Sequence, residues 1–415
     1  MQLQHTLTAP RVTAPTLPRL SRRAGFWAVA FSFLIVTALS TAPSSLYGLY
    51  ELREHLSPLT ITIVYAVYAA GVTTSLLLAG HVSDWYGRRA VLIPAVTLAT
   101  AAAVLFISWQ SLAGLLVARV LTGLALGATV ATATAYVADL DTGPDGAVTR
   151  RSGIVSTIAN VGGLAIGPLV SGLLARYAPS GLTLPYIVLL VALVLAALAV
   201  VLAPEGRSPA HPLPRYRPQR IKVPANARGQ FLAAIAGVAL AFATWGLFAG
   251  LAGRFLAGPL HHPSPALTGA AIFLTFGAGI VVQTTTTNWS GHRLLRAGIP
   301  TIILGLGILV ASAWTAPPSL ALFLIGGVVT GLGASAIFRA SLGVVIATSR
   351  ADDRAGALAA FFVAGYAALS LPVLGLGIAL QYLSPQMTLL IFGLAVGLGI
   401  LAAAPTLLRQ PDQGH

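Results

Sequence analysis

The sequence predicts an all-α integral membrane protein, with 12 transmembrane helices in two pseudo-symmetric six-helix bundles. Three observations predict it. Only 8% of the 415 residues are charged and 56% are hydrophobic, whereas a soluble domain carries about 25% charged residues. Apolar runs long enough to cross a bilayer, about 20 residues each, recur along the whole chain. The two halves also resemble each other at nearly one offset. SLAGLLVARVLTGLALG (111–127) lies over SLALFLIGGVVTGLGAS (319–335) with eight of seventeen positions identical. DWYGRR (84–89) lies over NWSGHR (288–293), sharing Trp, Gly and Arg.

Taken in order, the runs place six spans near 25–47, 59–81, 90–109, 112–138, 152–175 and 183–203. Six more fall near 229–252, 266–288, 299–317, 319–345, 356–380 and 386–406. The first run follows a basic RLSRR and precedes ALSTAPSS, the layout of a signal peptide. With so many spans following, it reads as an uncleaved first span. Between the halves, PEGRSPAHPLPRYRPQRIKVPANARG is rich in proline and charge and reads as an extended linker. The expected organisation is therefore an amino-terminal tail (1–24), a first bundle (25–203), a linker (204–228), a second bundle (229–406) and a tail (407–415).

Arg and Lys in short loops set orientation. One side would hold Arg11, Arg19, Arg22, Arg23, Arg88, Arg89, Arg150, Arg151, Arg293, Arg296, Arg350, Arg354 and Arg409. The linker adds Arg207, Arg215, Arg217, Arg220, Lys222 and Arg228. That makes 19 basic residues against three (Arg53, Arg176 and Arg254), so both ends and the linker are expected in the cytoplasm. The net charge of +14 is scattered between apolar runs, which excludes a nucleic-acid face. Absent cysteine excludes disulfides and thiol chemistry. The spans hold no paired acids, metal set or nucleophile dyad, so no enzyme, cofactor or metal site is expected.

Three stretches concentrate the polar chemistry. GHVSDWYGRR joins spans 2 and 3. Gly80 and Gly87 permit a tight turn, Asp84 can cap a helix, and Arg88 and Arg89 can pair with acids such as Asp139 at the end of span 4. Such a cluster can latch one packing of the halves. On span 4, Arg119, Thr122, Thr129, Thr132 and Tyr136 form a polar stripe, with Gly123 and Gly127 on the adjoining face. An arginine there faces a wet cavity or a partner, or else snorkels outward. On span 5, Gly163 and Gly167 form a smooth face for close helix approach, Pro168 bends the span, and Gly172 follows.

These stretches resemble three motifs of the major facilitator superfamily. G-x-x-x-D-x-x-G-R-R resembles its loop 2–3 signature, and the resemblance implies a charge network that stabilises the outward-facing state. In the second copy Asn288 and His292 replace charged positions. Arg119-V-L-T-G resembles the span-4 motif, whose arginine is implicated in proton handling. Gly163-L-A-I-Gly167-Pro168-L-V-Ser171-Gly172 resembles the antiporter motif of drug:proton exporters, departing at Ser171 where glycine is usual. Spans 1–2 are also similar to actinobacterial exporters. The resemblance implies a monomeric transporter of a bacterial cytoplasmic membrane, moving a small hydrophobic or amphipathic compound by alternating access with protons as coupling ion. Import of a metabolite on the same fold is the alternative.

The expected substrate cavity takes Ser40, Thr41, Ser44 and Tyr47 from span 1, Tyr65 and Tyr68 from span 2, and Thr129 from span 4. The second half adds Trp245, Phe248, Gln283, Phe361 and Tyr366. Arg339 is expected to snorkel. All ten acids lie outside the spans, so Glu51, Glu54, His261 and His262 are read first as wetted loop residues and second as proton carriers.

Overall fold

The computed structural model describes residues 19–80, 82–142, 149–207, 227–350 and 353–409. Residues 1–18, 208–226 and 410–415 of the expected tails and linker lie outside the described residues. So do Arg11, Asp145, Arg215, Arg217, Arg220, Lys222, Asp352 and Asp412.

The first half is built from α1 (Arg22–Thr41), a 3₁₀ turn (Ala42–Ser45), α2 (Tyr47–Glu54), α3 (Pro58–Ala79), α4 (Ser83–Tyr86), α5 (Arg88–Ser108), α6 (Leu112–Leu140), α7 (Arg150–Tyr177) and α8 (Leu184–Leu202). The second half holds α9 (Arg228–Ala257), α10 (Pro265–Thr285), α11 (Gly291–Trp314), α12 (Leu320–Thr348), α13 (Arg354–Ala379) and α14 (Pro385–Leu408). Twelve helices among the described residues are long and apolar enough to cross a membrane.

Capping, not hydropathy, sets the ends. Ser57, Ser264 and Ser384 each accept a backbone N–H of the first turn, and each is followed by a proline whose missing N–H costs nothing there. The span expected at 299–317 begins eight residues earlier, because Ser290 caps α11 and its polar first turns fall below a hydropathy threshold. α1 ends at Thr41, and the first span continues to Ser45 through a tighter 3₁₀ turn that holds Pro43. α7 stays helical through Pro168.

The halves repeat one contact pattern. In the first, α6 packs on α3, α5 and α1, while α1 packs on α7 and α8. In the second, α12 packs on α10, α11 and α9, while α9 packs on α13 and α14. The repeated segments do the same work: a side chain on Gly123 would strike the Tyr68 carbonyl of α3, and one on its counterpart Gly331 would strike the Thr275 carbonyl of α10. Between the halves, α7 packs on α10 and α3 packs on α13. Exchanging the halves converts one of these seams into the other, so the interface is two-fold related.

Candidate functional site: a central aromatic cavity and its flanking charge clusters

A cavity of about 90 Å³ lies between the halves. Thr41, Tyr65 and Tyr68 line it from the first helices, with Val130, Asn160, Val161 and Leu164 from α6 and α7. Phe242, Trp245, Phe276, Gln283, Ser335, Phe338 and Tyr366 are among those facing them from the second half. The wall is a continuous aromatic layer. Phe242 lies 5.2 Å from Trp245 and 5.5 Å from Tyr366, centroid to centroid, and Trp245 lies 5.8 Å from Phe276. Polar groups are few: the Gln283 amide donates to Ser335 Oγ at 3.2 Å, and the buried Trp245 Nε1 has no partner among the described residues.

Of the residues expected to line this cavity, Thr41, Tyr65, Trp245, Gln283 and Tyr366 do, and Tyr68 joins them. Five others do not. Ser40 is turned into the first half, where its carbonyl accepts from Arg119. Ser44 lines a separate cleft at the end of the bundle away from the linker. Tyr47, beyond the 3₁₀ turn, is buried among side chains. Thr129 points about 100° away from Val130 on α6, and Val130 is the lining residue. Phe248 packs on Phe323 at 5.6 Å. Asn160 was missed, although it sits one turn before Gly163 and is the lone amide of its span.

The glycines of α7 face two neighbours. Side chains on Gly163 or Gly167 would meet the Leu34 and Ala38 carbonyls of α1, whereas one on Gly172 would meet the Pro265 carbonyl of α10. Gly269 of α10 in turn lies against the Pro168 carbonyl. This one motif therefore packs α7 within its own half and across the seam. Gly123 and Gly127 similarly bring α6 onto α3.

At the linker end, Arg88 is buried and held from three sides. Its Nε donates to Asp139 Oδ2 at 2.8 Å, and its Nη1 lies 2.7 Å from Asp84 Oδ1 and 2.9 Å from Ser83 Oγ. Asp84 does not cap α4. It lies within that turn and also meets Arg207 at 3.6 Å. Gly80 is in ordinary right-handed conformation, so only Gly87, at φ +94°, needs glycine's freedom. Glu205, which sequence reasoning did not single out, caps α5: its carboxylate accepts from the backbone of Arg88 at 2.8 Å and of Arg89 at 3.3 Å. Arg89 donates to the Val201 carbonyl. Every partner named here belongs to the first half or the start of the linker. These contacts brace the first bundle. In the second copy, Arg293 lies over Trp289 at 4.3 Å.

Arg119 is fully buried and does not snorkel. Its Nη1 donates to the Ser40 carbonyl, and its guanidinium lies over the Tyr68 ring at 4.2 Å. Thr122 returns its hydroxyl to the Arg119 carbonyl, while Tyr136, at the other end of the stripe, donates to the Pro204 carbonyl. Arg339 is only partly buried. It donates at 2.7 Å to the Gln283 carbonyl, one of the last carbonyls of α10 and without a helical partner.

Away from the linker, Glu51 of α2 and Arg254 of α9 face each other across the halves at 3.8 Å, in a cleft of about 360 Å³ with Ser44, Ser45, Gly48 and Thr268. Burial pushes the Glu51 carboxyl up from its ordinary value, and Arg254 only partly offsets this. At the linker end, Arg150 donates to Thr287 across the halves at 2.6 Å. These two contacts join the halves at opposite ends of the bundle. Among the described residues no cluster of His, Cys, Asp and Glu could hold a metal ion.

The sequence profile of the Major Facilitator Superfamily matches residues 25–317. No curated protein matches the sequence. Among solved structures, the peptide transporter POT superposes with a TM-score of 0.76 at 15% identity, covering 95% of this chain and 97% of that one. The nucleoside transporter NupG gives 0.67 at 14% identity, covering 92% and 99%. The human organic anion transporter MFSD10 (TETRAN) gives 0.62 at 16% identity, covering 93% and 100%. These likenesses show the fold.

Proposed function

The chain belongs to the major facilitator superfamily of membrane transporters, and on that premise we propose that it exports a small hydrophobic or amphipathic compound in exchange for protons. The observation that carries the reading is the position of α7. Its Gly163–Gly172 motif is packed against α1 on one side and, at the two-fold-related seam, against α10 on the other. A helix so placed transmits movement of one half to the other, and the cavity lies where the seams meet. At about 90 Å³ the cavity is smaller than the roughly 300 Å³ a drug-sized ligand needs. On this reading the cavity enlarges by rocking of the halves to admit its compound.

We assign the linker end to the bacterial cytoplasm, from the distribution of basic residues, and a monomer as the working unit. Glu51 is the group we assign to the proton. It is buried in the outer cleft, its carboxyl is pushed up, and the Arg254 beside it belongs to the opposite half. Uptake of a small polar metabolite is the second reading. Asn160 and Gln283 on the cavity wall favour it, as does the likeness to a peptide and a nucleoside transporter.

The test uses inverted membrane vesicles with an imposed pH gradient and a compound panel. Antiport predicts proton efflux from the vesicles when one compound is added, lost in Glu51→Gln. Compound movement indifferent to the pH gradient refutes proton exchange. Movement from the outer face inward refutes export.

A further inference from the structure

Among the described residues, Arg119 is a buried cation without a counter-charge. It stands seven residues into α6, and its side chain has no solvent exposure. One of its three nitrogens is used, on a main-chain carbonyl; Nε and Nη2 are buried with no partner among the described residues. Asp139, the acid on the same helix, is twenty residues away, about 30 Å along the axis. Glu51 is engaged with Arg254. A charge held this way in lipid is strongly unfavourable unless something negative visits it.

The neighbouring polar groups fit such a visitor. Tyr47 is near enough for the Arg119 charge to act on its phenol, and its hydroxyl is buried and unpartnered. Ser44, three residues earlier, has its hydroxyl in the same condition. Tyr68 and Tyr65, whose rings lie 4.2 and 5.9 Å from the guanidinium, are also walls of the central cavity. Across that cavity stands Trp245, its indole N–H likewise without a partner. Trp245 alone of these unmatched groups lines the cavity itself; Arg119, Ser44 and Tyr47 lie beyond its wall, and each of the four can donate a hydrogen bond.

We propose that Arg119 receives an anionic group, and that the compound carried is an amphipathic carboxylate whose apolar body lies on the Tyr65–Tyr68–Trp245 wall. The two tyrosines connect the charge to the cavity: the same rings that stack on the guanidinium form the surface on which an apolar body rests. This rests on the transport reading above and narrows its substrate to acids. A free inorganic anion shares the chemistry of the head group but has no use for the aromatic wall.

Benzoate, benzamide and benzylammonium each join one phenyl ring to a small head group and carry three different charges, which makes them the probes, with chloride as the inorganic control at matched ionic strength. The assay is thermal unfolding of the full chain in lipid nanodiscs, followed by tryptophan fluorescence. Benzoate is expected to raise the melting temperature saturably, and the other three are not. Arg119→Gln should weaken the benzoate response by at least about tenfold, and Tyr47→Phe by several-fold, as expected for hydrogen bonds to a charged group. If Arg119→Gln does not fold, Arg119→Lys keeps the charge but loses the planar fork, and should retain a weakened response. Benzamide matching benzoate, no response to any probe, or an undiminished response in all three variants overturns the proposal. Chloride matching benzoate also overturns it, by reducing the site to an inorganic anion site. Counterflow of labelled compounds in proteoliposomes separates the two readings. Benzoate binding without movement of any compound sinks transport and leaves the anion site. Movement of benzylammonium at equal rates in wild type and Arg119→Gln sinks the anion site and leaves transport.

Discussion

Glu205→Ala should loosen the start of α5 without disturbing the rest of the bundle. Gly87, the residue before the helix, sits at φ +94°, where only glycine is comfortable, and glycine has no side chain to cap the first N–H groups. The cap comes instead from 117 residues further on: the Glu205 carboxylate takes the Arg88 N–H at 2.8 Å, the Arg89 N–H at 3.3 Å and the Gly206 N–H at 3.1 Å. A lost cap costs about 1 kcal/mol, and a lost carboxylate at a helix amino terminus about 0.5 kcal/mol more. The sum, about 1.5 kcal/mol, is roughly a tenfold rise in the open population. Hydrogen exchange followed by mass spectrometry on a peptide spanning 82–95 reads this directly, because exchange through local opening scales with that population. Glu205→Gln keeps an acceptor and should fall between wild type and alanine. Unchanged protection at Arg88 and Arg89 in Glu205→Ala would refute the cap. An equal loss of protection in α11 would show a global effect and refute the locality.

Other consequences are equally direct. Asp139→Asn should destabilise more than Asp84→Asn, by about 1–2 against about 0.5 kcal/mol, because Asp139 is 27% exposed and Asp84 47%. Tryptophan-monitored melting ranks them, and the reverse order would contradict the bracing of Arg88. A valine at Gly167 must push α1 and α7 apart at the Ala38 carbonyl, costing about 1–3 kcal/mol; unchanged melting and transport would reduce the glycine to an accident of composition. Glu51 supplies a pH dependence. Burial raises its carboxyl, so the closed outer cleft binds the proton more tightly than an open one. Falling pH through the raised value therefore favours closure, and rising pH favours opening. In a chain without native cysteine, maleimide labelling of Ser45→Cys, normalised to Leu52→Cys, should speed up with pH. The same slope in Glu51→Gln would refute the assignment.

The lipid-facing architecture was legible because hydropathy and length are local properties of the chain. The repeat was legible too, since Gly123 and Gly331 keep the same neighbours in both halves. What was hidden is whatever depends on distant partners. Nothing near Glu205 in sequence announces that it caps a helix 117 residues before it. Thr129 and Val130 differ by one position, and only the rotation of α6 against α3 decides which meets the cavity. Phe242, Phe276 and Phe338 were not singled out, because only the folded chain brings their rings into one layer. Arg119 showed its importance but not its loneliness, because an absent counter-ion is a statement about space.

The pair α7–α10 and α3–α13 behaves like the two pans of a balance. Tipping the halves so that these contacts part on one side of the bilayer presses them together on the other. Parting on both sides at once would amount to the bundles falling away from each other, held only by a length of chain between residues 207 and 227. If the halves rock as proposed, these four helices cannot part on both sides together, and the membrane stays sealed without a separate door.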